Sequence, residues 1–174
     1  MPQRPQGSSD VSERAEHIAK LVELITDVRI AMLTTTRPDG RLVSRPLGTQ
    51  EVEFDGDLWF ATGADSAKVA EIAANPLVNV SYASTSGSTF VSVSGRAEVL
   101  DDRAKIEKVW SPAMKLFFPS GKDDPDLRLI RVKADTAEYW DGPGTIMGEA
   151  LNFFLTAVTD NPASLSENEL IDLR

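Results

Sequence analysis

The sequence predicts a mainly β protein with a few peripheral helices, folded as an antiparallel barrel or sandwich. Short β-branched and apolar runs recur along the chain, and tight-turn residues separate them. Helical periodicity is confined to brief segments that are too few and too irregularly placed for alternating β and α units. The length of 174 residues fits one domain with terminal tails.

The first part of the chain predicts a tail, a helix and a hairpin. Residues 1–9 are polar and rich in Pro, Gly and Ser, so we expect a disordered tail there. Asp10 and Glu13 have capping-box spacing, and apolar residues follow at helical spacing. The run VRIAMLTTT predicts a strand, and RPDG after it is typical of a β-turn because Pro presets φ at the second position. The returning strand contains Pro46, which cannot donate to a ladder, so we expect a bulge or a sheet edge there.

The rest of the chain continues the same alternation. Strands are predicted over LWFAT, LVNVSYAS, TFVSVSGRAEVL and DLRLIRVKADTAEYWD. A short helix over AKVAEIAAN is stopped by Asn75 and Pro76, and two further helical segments follow the fifth strand. A final amphipathic helix is expected over residues 147–158 and a polar tail over residues 159–174, which leaves a domain over residues 10–158.

Composition excludes several classes of function. The chain has no cysteine, which removes disulfides, thiolate metal sites and cysteine nucleophiles, and its one histidine, His17, cannot form a histidine-rich metal site. A net charge of −9 without a basic block argues against a nucleic-acid partner. The N-terminus lacks the apolar core of a signal peptide, and no run is long enough for a membrane span. We therefore expect a cytoplasmic protein without membrane or nucleic-acid partners.

One candidate anion site lies where the short helix begins. Ser66 occupies a predicted N-cap, and Lys68 falls in the first turn, where a cation opposes the helix dipole. A bound anion would explain that lysine, because the first amides of a helix, a hydroxyl and an ammonium can together hold a phosphate. The alternative is that Asp65 or Ser66 only caps the helix and Lys68 points into water.

A second cation lies on the predicted strand that contains Pro46. Arg45 shares a face with Val43 and Leu47, and an arginine on an apolar face needs a partner. Phosphate is one candidate partner, and an Asp or Glu side chain is the other. Because Pro46 interrupts the ladder, free amides near Leu47 could meet the edge of a planar heterocycle.

Four segments together resemble one known family, in their order and spacing. They are GRLVSRPLG, LWFATGADSAKVAEIAANPLVNVSYA, SGRAEVL and AEYWDGPG. The sequence resembles the pyridoxamine-phosphate-oxidase-like FMN-binding split barrels, and within them the general stress protein group. The resemblance implies a six-stranded antiparallel Greek-key split β-barrel that forms a homodimer, with FMN held at the interface.

The same resemblance implies which residues contact the cofactor. Arg45, Ser66 and Lys68 would hold the phosphate, with Thr62 on the strand that leads into the helix. The backbone after Arg45 would lie along the flavin ring, and Trp140 would reach the flavin of the other subunit. The full set is Arg45, Pro46, Leu47, Gly48, Thr62, Ser66, Lys68 and Trp140.

The chain also departs from the oxidase of that family. The oxidase grips its pyridoxal ring with an Arg-x-His, and the matching residues here are Ile146, Met147 and Gly148. Where the oxidase has a further flavin-contacting arginine, this chain has Ala150, and where the oxidase has a glutamine in the fifth strand, this chain has Phe90. We therefore expect no efficient oxidation of pyridoxamine phosphate.

Three functions stay open at this point. The first is a flavin-dependent oxidoreductase with a small-molecule electron donor or acceptor, for which no catalytic residue can be named. The second is a non-catalytic flavin-binding stress protein that acts as a carrier or sensor. The third is a split-barrel relative that uses a deazaflavin or haem. The presence of a single histidine, His17, argues against a histidine-ligated haem.

Overall fold

The computed structural model describes residues 7–50, 56–84, 89–141 and 167–173, which form one antiparallel sheet with helices packed around it. The helices are α1 (Gly7–Ile25), α2 (Ala67–Ala74) and α3 (Arg103–Val109), with 3₁₀ turns at Pro112–Leu116 and Gly121–Asp123. The strands are β1 (Ile30–Thr36), β2 (Leu42–Gly48), β3 (Asp57–Gly63), β4 (Leu77–Ser84), β5 (Thr89–Leu100), β6 (Leu127–Asp141) and β7 (Glu167–Asp172).

The sheet has the strand order β2-β1-β4-β5-β6-β3, and β7 pairs with β6. β1 and β2 form a hairpin, β4, β5 and β6 form a meander, and β3 crosses over to pair with β6. The sheet curls until its two edge strands, β2 and β3, approach each other without pairing. This arrangement confirms the α+β class and the split barrel, with one strand more than the six expected.

The β1–β2 hairpin forms as the sequence predicts. The amide of Gly40 donates to the carbonyl of Arg37 at 2.9 Å, and Gly40 has a φ of 82°, which favours glycine. Pro46 lies on β2 opposite Met32, and β2 is an edge strand. The edge, rather than a bulge, is therefore what accommodates this proline.

The main core fills the barrel. Inward-facing side chains of the strands pack there with Leu21 and Leu24 of α1 and Ile72 of α2. A second, smaller cluster lies under α3 and the first 3₁₀ turn, where Trp59 packs with Ile106 and Met114. Trp110 is partly buried against this second cluster, which favours a packing role for it.

Two terminal expectations differ from the structure. Helix α1 begins at Gly7 rather than Asp10, so Ser8, Ser9 and Asp10, whose types favour the N-cap, lie within its first residues instead. Strand β7 lies inside the segment expected to be a polar tail. It pairs with residues 136–141 of β6, along the edge that β3 leaves uncovered, and it buries Ile171 and Leu173.

Several expectations fall outside the described residues. They are the amphipathic helix over residues 147–158 and the departures at Ile146, Met147, Gly148 and Ala150. Among the helices that are described, none combines the length and apolar character needed to cross a membrane.

Candidate functional site

Arg45 lies on the inward face of β2 and meets a carboxylate there. Its Nη2 donates to Glu71 Oε2 at 2.8 Å, and its Nη1 donates to Thr35 Oγ1 at 2.6 Å. The arginine side chain is 20% exposed, so the pair is largely shielded from solvent. The sequence left a phosphate or an acidic side chain as the partner of Arg45, and in this structure the partner is the acidic side chain of Glu71.

Glu71 is a buried carboxylate held in its ionised form. The Thr35 hydroxyl donates to its Oε2 at 2.5 Å, and Arg37 Nε lies 3.8 Å from its Oε1. The bond from Thr35 lowers the pKa of Glu71 most, and the charges of Arg45 and Arg37 add to this against the opposing effect of burial. The site therefore contains a fixed negative charge between two arginines.

Lys68 is directed back toward the strand that precedes its helix. Its Nζ donates to Thr62 Oγ1 at 3.0 Å and also to Ser66 Oγ. Ser66 occupies the N-cap position, but its side chain makes no capping hydrogen bond. Ser66 therefore does not cap the helix with its side chain, and Lys68 does not point into water as the alternative required; the structure brings Thr62, Ser66 and Lys68 together.

The charge of Lys68 is held in an unfavourable environment. Burial lowers its pKa most, the nearby Arg45 lowers it further, and Glu71 acts in the opposite direction. Two cations thus lie close enough to repel one another beside two hydroxyl groups. An anion bound among them would relieve that repulsion.

The backbone after Arg45 follows the open edge of the sheet. The amide of Thr49 donates to Arg29 on the β1 side, and antiparallel pairing alternates direction along a strand. The backbone N–H and C=O groups of Leu47 therefore point toward β1, whereas the backbone polar groups of Pro46 and Gly48 point toward the open edge. The amide of Gly48, rather than that of Leu47, therefore has no backbone partner among the described residues, and Leu47 itself is buried in the core.

Trp140 lies away from the cation cluster. It is near the end of β6, opposite Phe90 on the outer face of the sheet, whereas Arg45 is on the inward face of β2. Around the barrel β3 lies between β2 and β6, and it pairs with residues 127–133 of β6, at the opposite end from Trp140. One protomer therefore does not bring Trp140 to Arg45 and Lys68.

Sequence reasoning missed three residues of the cluster: Thr35, Arg37 and Glu71. Glu71 follows Lys68 by three residues on α2, a spacing that places two side chains on one helix face, so a signal for it was present. Thr35 was assigned only to a strand and Arg37 only to a turn. No local pattern indicated that either would meet a helix carboxylate.

The donor set suits a phosphate group. Arg45 and Lys68 supply positive charge, and Ser66 and Thr62 add hydroxyls that can donate as well as accept. Glu71 is the opposing feature, since it engages part of the Arg45 guanidinium. A guanidinium has five N–H groups, and the bonds to Thr35 and Glu71 use one each at Nη1 and Nη2 among the residues described. The residues therefore fit a phosphate-bearing cofactor.

Comparison with known proteins finds relatives over most of the chain. The chain is 28% identical over 162 residues to Protein bli-3 of Neurospora crassa, an alignment that covers 87% of this chain and 78% of that protein. The crystal structure of the general stress FMN/FAD binding protein from Xanthomonas citri has a TM-score of 0.65 at 28% identity, over 76% of this chain and 93% of that one. General Stress Protein 26 from Bacillus anthracis has a TM-score of 0.64 at 27% identity, over 71% and 93% of the two chains.

The family model described as pyridoxamine 5'-phosphate oxidase like matches residues 16–163, which include the barrel strands β1 to β6 and all eight expected cofactor contacts. The resemblance to the general stress protein group is confirmed by the two structural relatives. This chain belongs to the pyridoxamine 5'-phosphate oxidase like family.

Proposed function

We propose that this protein is an FMN-binding flavoprotein of the general stress protein type that acts as a flavin-dependent oxidoreductase. The observation that carries the proposal is that Lys68 bonds to Thr62 and Ser66 while Arg45 lies near enough for its charge to act on Lys68, so that groups from β2, β3 and α2 surround one place. The relative from Xanthomonas citri is named for FMN/FAD binding, which supports a flavin as the ligand. FMN carries a single terminal phosphate, which matches a single cluster of this size.

In this proposal the protein binds and orients the cofactor. Lys68 and Arg45 neutralise the phosphate, and Ser66 and Thr62 direct hydrogen bonds to its oxygens. Gly48 leaves the space above its Cα open, so a planar ring can approach the backbone of β2 closely. FMN, when bound, supplies hydride and electron transfer at its ring system, and a small-molecule donor or acceptor exchanges electrons with it.

We further propose a homodimer that shares its flavin sites. Exposed apolar side chains lie on the outer face of β1, β5 and β7: Ile30, Met32, Phe90 and Leu170 are 62%, 39%, 46% and 70% exposed. Trp140 lies on the same face, because residues directly opposite one another on adjacent strands share a face and it pairs with Phe90. Exposed apolar side chains gathered on one face suit contact with another protein, and two-fold dimers are the commonest assembly. A second copy that packs on this face would lie against Trp140, and this supports a role for Trp140 at the partner's flavin.

The test of binding compares FMN with riboflavin, which lacks the phosphate. We expect FMN to bind one per chain and at least tenfold more tightly than riboflavin, because charge-assisted hydrogen bonds contribute about 1.5–3 kcal/mol each. Equal affinity for the two flavins would contradict the proposal that this cluster binds the phosphate. Identification of a deazaflavin or haem in the purified protein would replace FMN by that cofactor.

The test of turnover follows from the first. FMN-loaded protein is mixed with NADH or NADPH, and the flavin absorbance is followed before and after an electron acceptor is added. Reduction and reoxidation over repeated cycles support an oxidoreductase. Stoichiometric FMN that neither nicotinamide reduces at a catalytic rate would favour a carrier or sensor.

We place the protein in the cytoplasm. The chain contains no cysteine, and its net charge of −9 suits a dispersed protein rather than one bound to nucleic acid or an anionic membrane surface. Fractionation of cells that express a tagged chain tests this, with recovery in the membrane fraction as the contrary result.

A further inference from the structure

Glu71 is an uncommon feature for a phosphate site. Its Oε2 receives hydrogen bonds from Thr35 and Arg45, while Oε1 has Arg37 Nε at 3.8 Å, beyond hydrogen-bond range. One oxygen of a buried carboxylate therefore lies beside a cation without a close bond to it. The Arg37 side chain is 51% exposed, which leaves it room to move.

Phosphate binding creates a conflict at this carboxylate. Arg45 has further N–H groups to offer a phosphate, but the added negative charge draws its guanidinium toward the phosphate and weakens its contact with Glu71. A buried carboxylate that loses its cation, and gains a nearby anion, becomes strongly unfavourable. The site needs a second cation that can approach Glu71 as Arg45 turns away.

We propose that Arg37 is this second cation: it takes over the Glu71 carboxylate when Arg45 turns toward a phosphate, and so contributes to selective binding of phosphorylated flavin. The inference rests on the proposed binding of FMN. Arg37 is the first residue after β1. Thr35 and Arg45, which donate hydrogen bonds to Glu71, therefore belong to the same hairpin as Arg37. Arg37 is a positioning residue in this arrangement and acts on the phosphate only through Glu71 and Arg45.

The chain offers a matched control for Arg37. Arg41 belongs to the same turn region, and its side chain is 80% exposed and is paired with Asp39 at 3.9 Å. Replacement of either arginine by glutamine removes one charge from the same hairpin. Only the change at Arg37 alters the surroundings of Glu71.

The experiment measures the affinity of FMN and of riboflavin for wild type, R37Q, R41Q, E71Q and R37Q/E71Q. We expect R37Q to weaken FMN about threefold to fivefold, the range of a partly exposed ion pair, and to leave riboflavin unchanged. R41Q changes neither flavin. In the E71Q background, R37Q has no further effect on FMN, because the charge that Arg37 neutralises is gone.

Three results would overturn the inference in distinguishable ways. An R37Q protein that binds FMN like wild type removes the role of Arg37, while the proposed FMN site survives. An equal loss from R37Q in both backgrounds means that Arg37 contacts the phosphate directly. Wild-type protein that binds FMN no more tightly than riboflavin removes the phosphate site itself, and the inference with it.

A second measurement does not depend on whether E71Q folds. In a crystal structure of the FMN-loaded wild type, we expect Arg37 to hydrogen-bond to Glu71 at about 3 Å and Arg45 to contact the phosphate. Arg45 still bonded to Glu71 as before, with Arg37 no closer to it, would contradict the exchange.

Discussion

Replacement of Lys68 by methionine should weaken the binding of FMN without lowering the thermal stability of the flavin-free protein. Lys68 Nζ donates to Thr62 and Ser66, and the proposed phosphate would become its strongest partner. A hydrogen bond to a charged group contributes about 1.5–3 kcal/mol, so the Kd for FMN should rise about 10- to 150-fold. Riboflavin, which has no phosphate, should bind with unchanged affinity.

The ligand-free protein should not lose stability from the same change. Burial and Arg45 lower the pKa of Lys68, which means that the folded state holds this proton less tightly than the unfolded state. The charged ammonium therefore opposes folding at neutral pH, and stability rises as the pH increases through the folded pKa. Methionine retains most of the apolar stem and removes the charge, so the Tm without flavin should stay equal or rise.

The assay combines two measurements on the same protein preparations. Quenching of flavin fluorescence gives the two Kd values, and thermal unfolding without flavin gives the Tm. Lys108→Met is the control, since Lys108 is an exposed lysine on α3 that should affect neither quantity. An unchanged FMN Kd in Lys68→Met, or a large fall in its flavin-free Tm, would refute the reasoning.

Four further predictions test other parts of the structure. Arg45→Ala should weaken FMN and also destabilise the flavin-free protein by about 1.5–3 kcal/mol in urea unfolding, because buried Glu71 loses its closest cation; unchanged stability would contradict the pairing. The pKa of Glu71 is lowered on folding, so its contribution to stability is present above the unfolded pKa and is lost as the pH falls through the folded pKa. Acid unfolding of Glu71→Gln should therefore be less steep than that of wild type, and identical acid profiles would argue against this origin. Phe90→Asp should convert the dimer to a monomer in light scattering and reduce FMN occupancy, whereas a wild-type monomer with full FMN would contradict the shared site. FMN-loaded protein should not oxidise pyridoxamine phosphate in an oxygen-coupled assay, since residues 146–148 lack the Arg-x-His of the oxidase, and efficient formation of pyridoxal phosphate would show this to be wrong.

Much of the fold could be predicted because its signals are local. The turn at RPDG, the helix stop at Asn75 and Pro76, and the alternating pattern of β5 each involve residues close together in sequence. The observed bounds of β4 and β5 match the predicted runs, and the Asp102 side chain caps α3 by accepting from the amide of Lys105 at 2.9 Å. The barrel itself came from the resemblance, since short antiparallel strands alone also fit a sandwich.

The site could be predicted only in part because its contacts are long-range. Arg45 and Glu71 are separated by 26 positions, and their pairing depends on how α2 lies over the β1–β2 hairpin. The need of Arg45 for an anionic partner was visible on its strand, but the identity of that partner was not. Strand β7 was missed for a related reason: its sequence ENELID is short and acidic, and it becomes a strand through the uncovered edge of β6 rather than through its own propensity.

The most direct test of FMN binding is the mass and the amount of cofactor that stays with the protein through gel filtration, both as purified without added flavin and after incubation with FMN. We expect FMN at one molecule per chain, and loss of the FMN on Arg45→Ala or Lys68→Met substitution. Protein that emerges from the column without flavin, or that carries a cofactor without a phosphate, would contradict it.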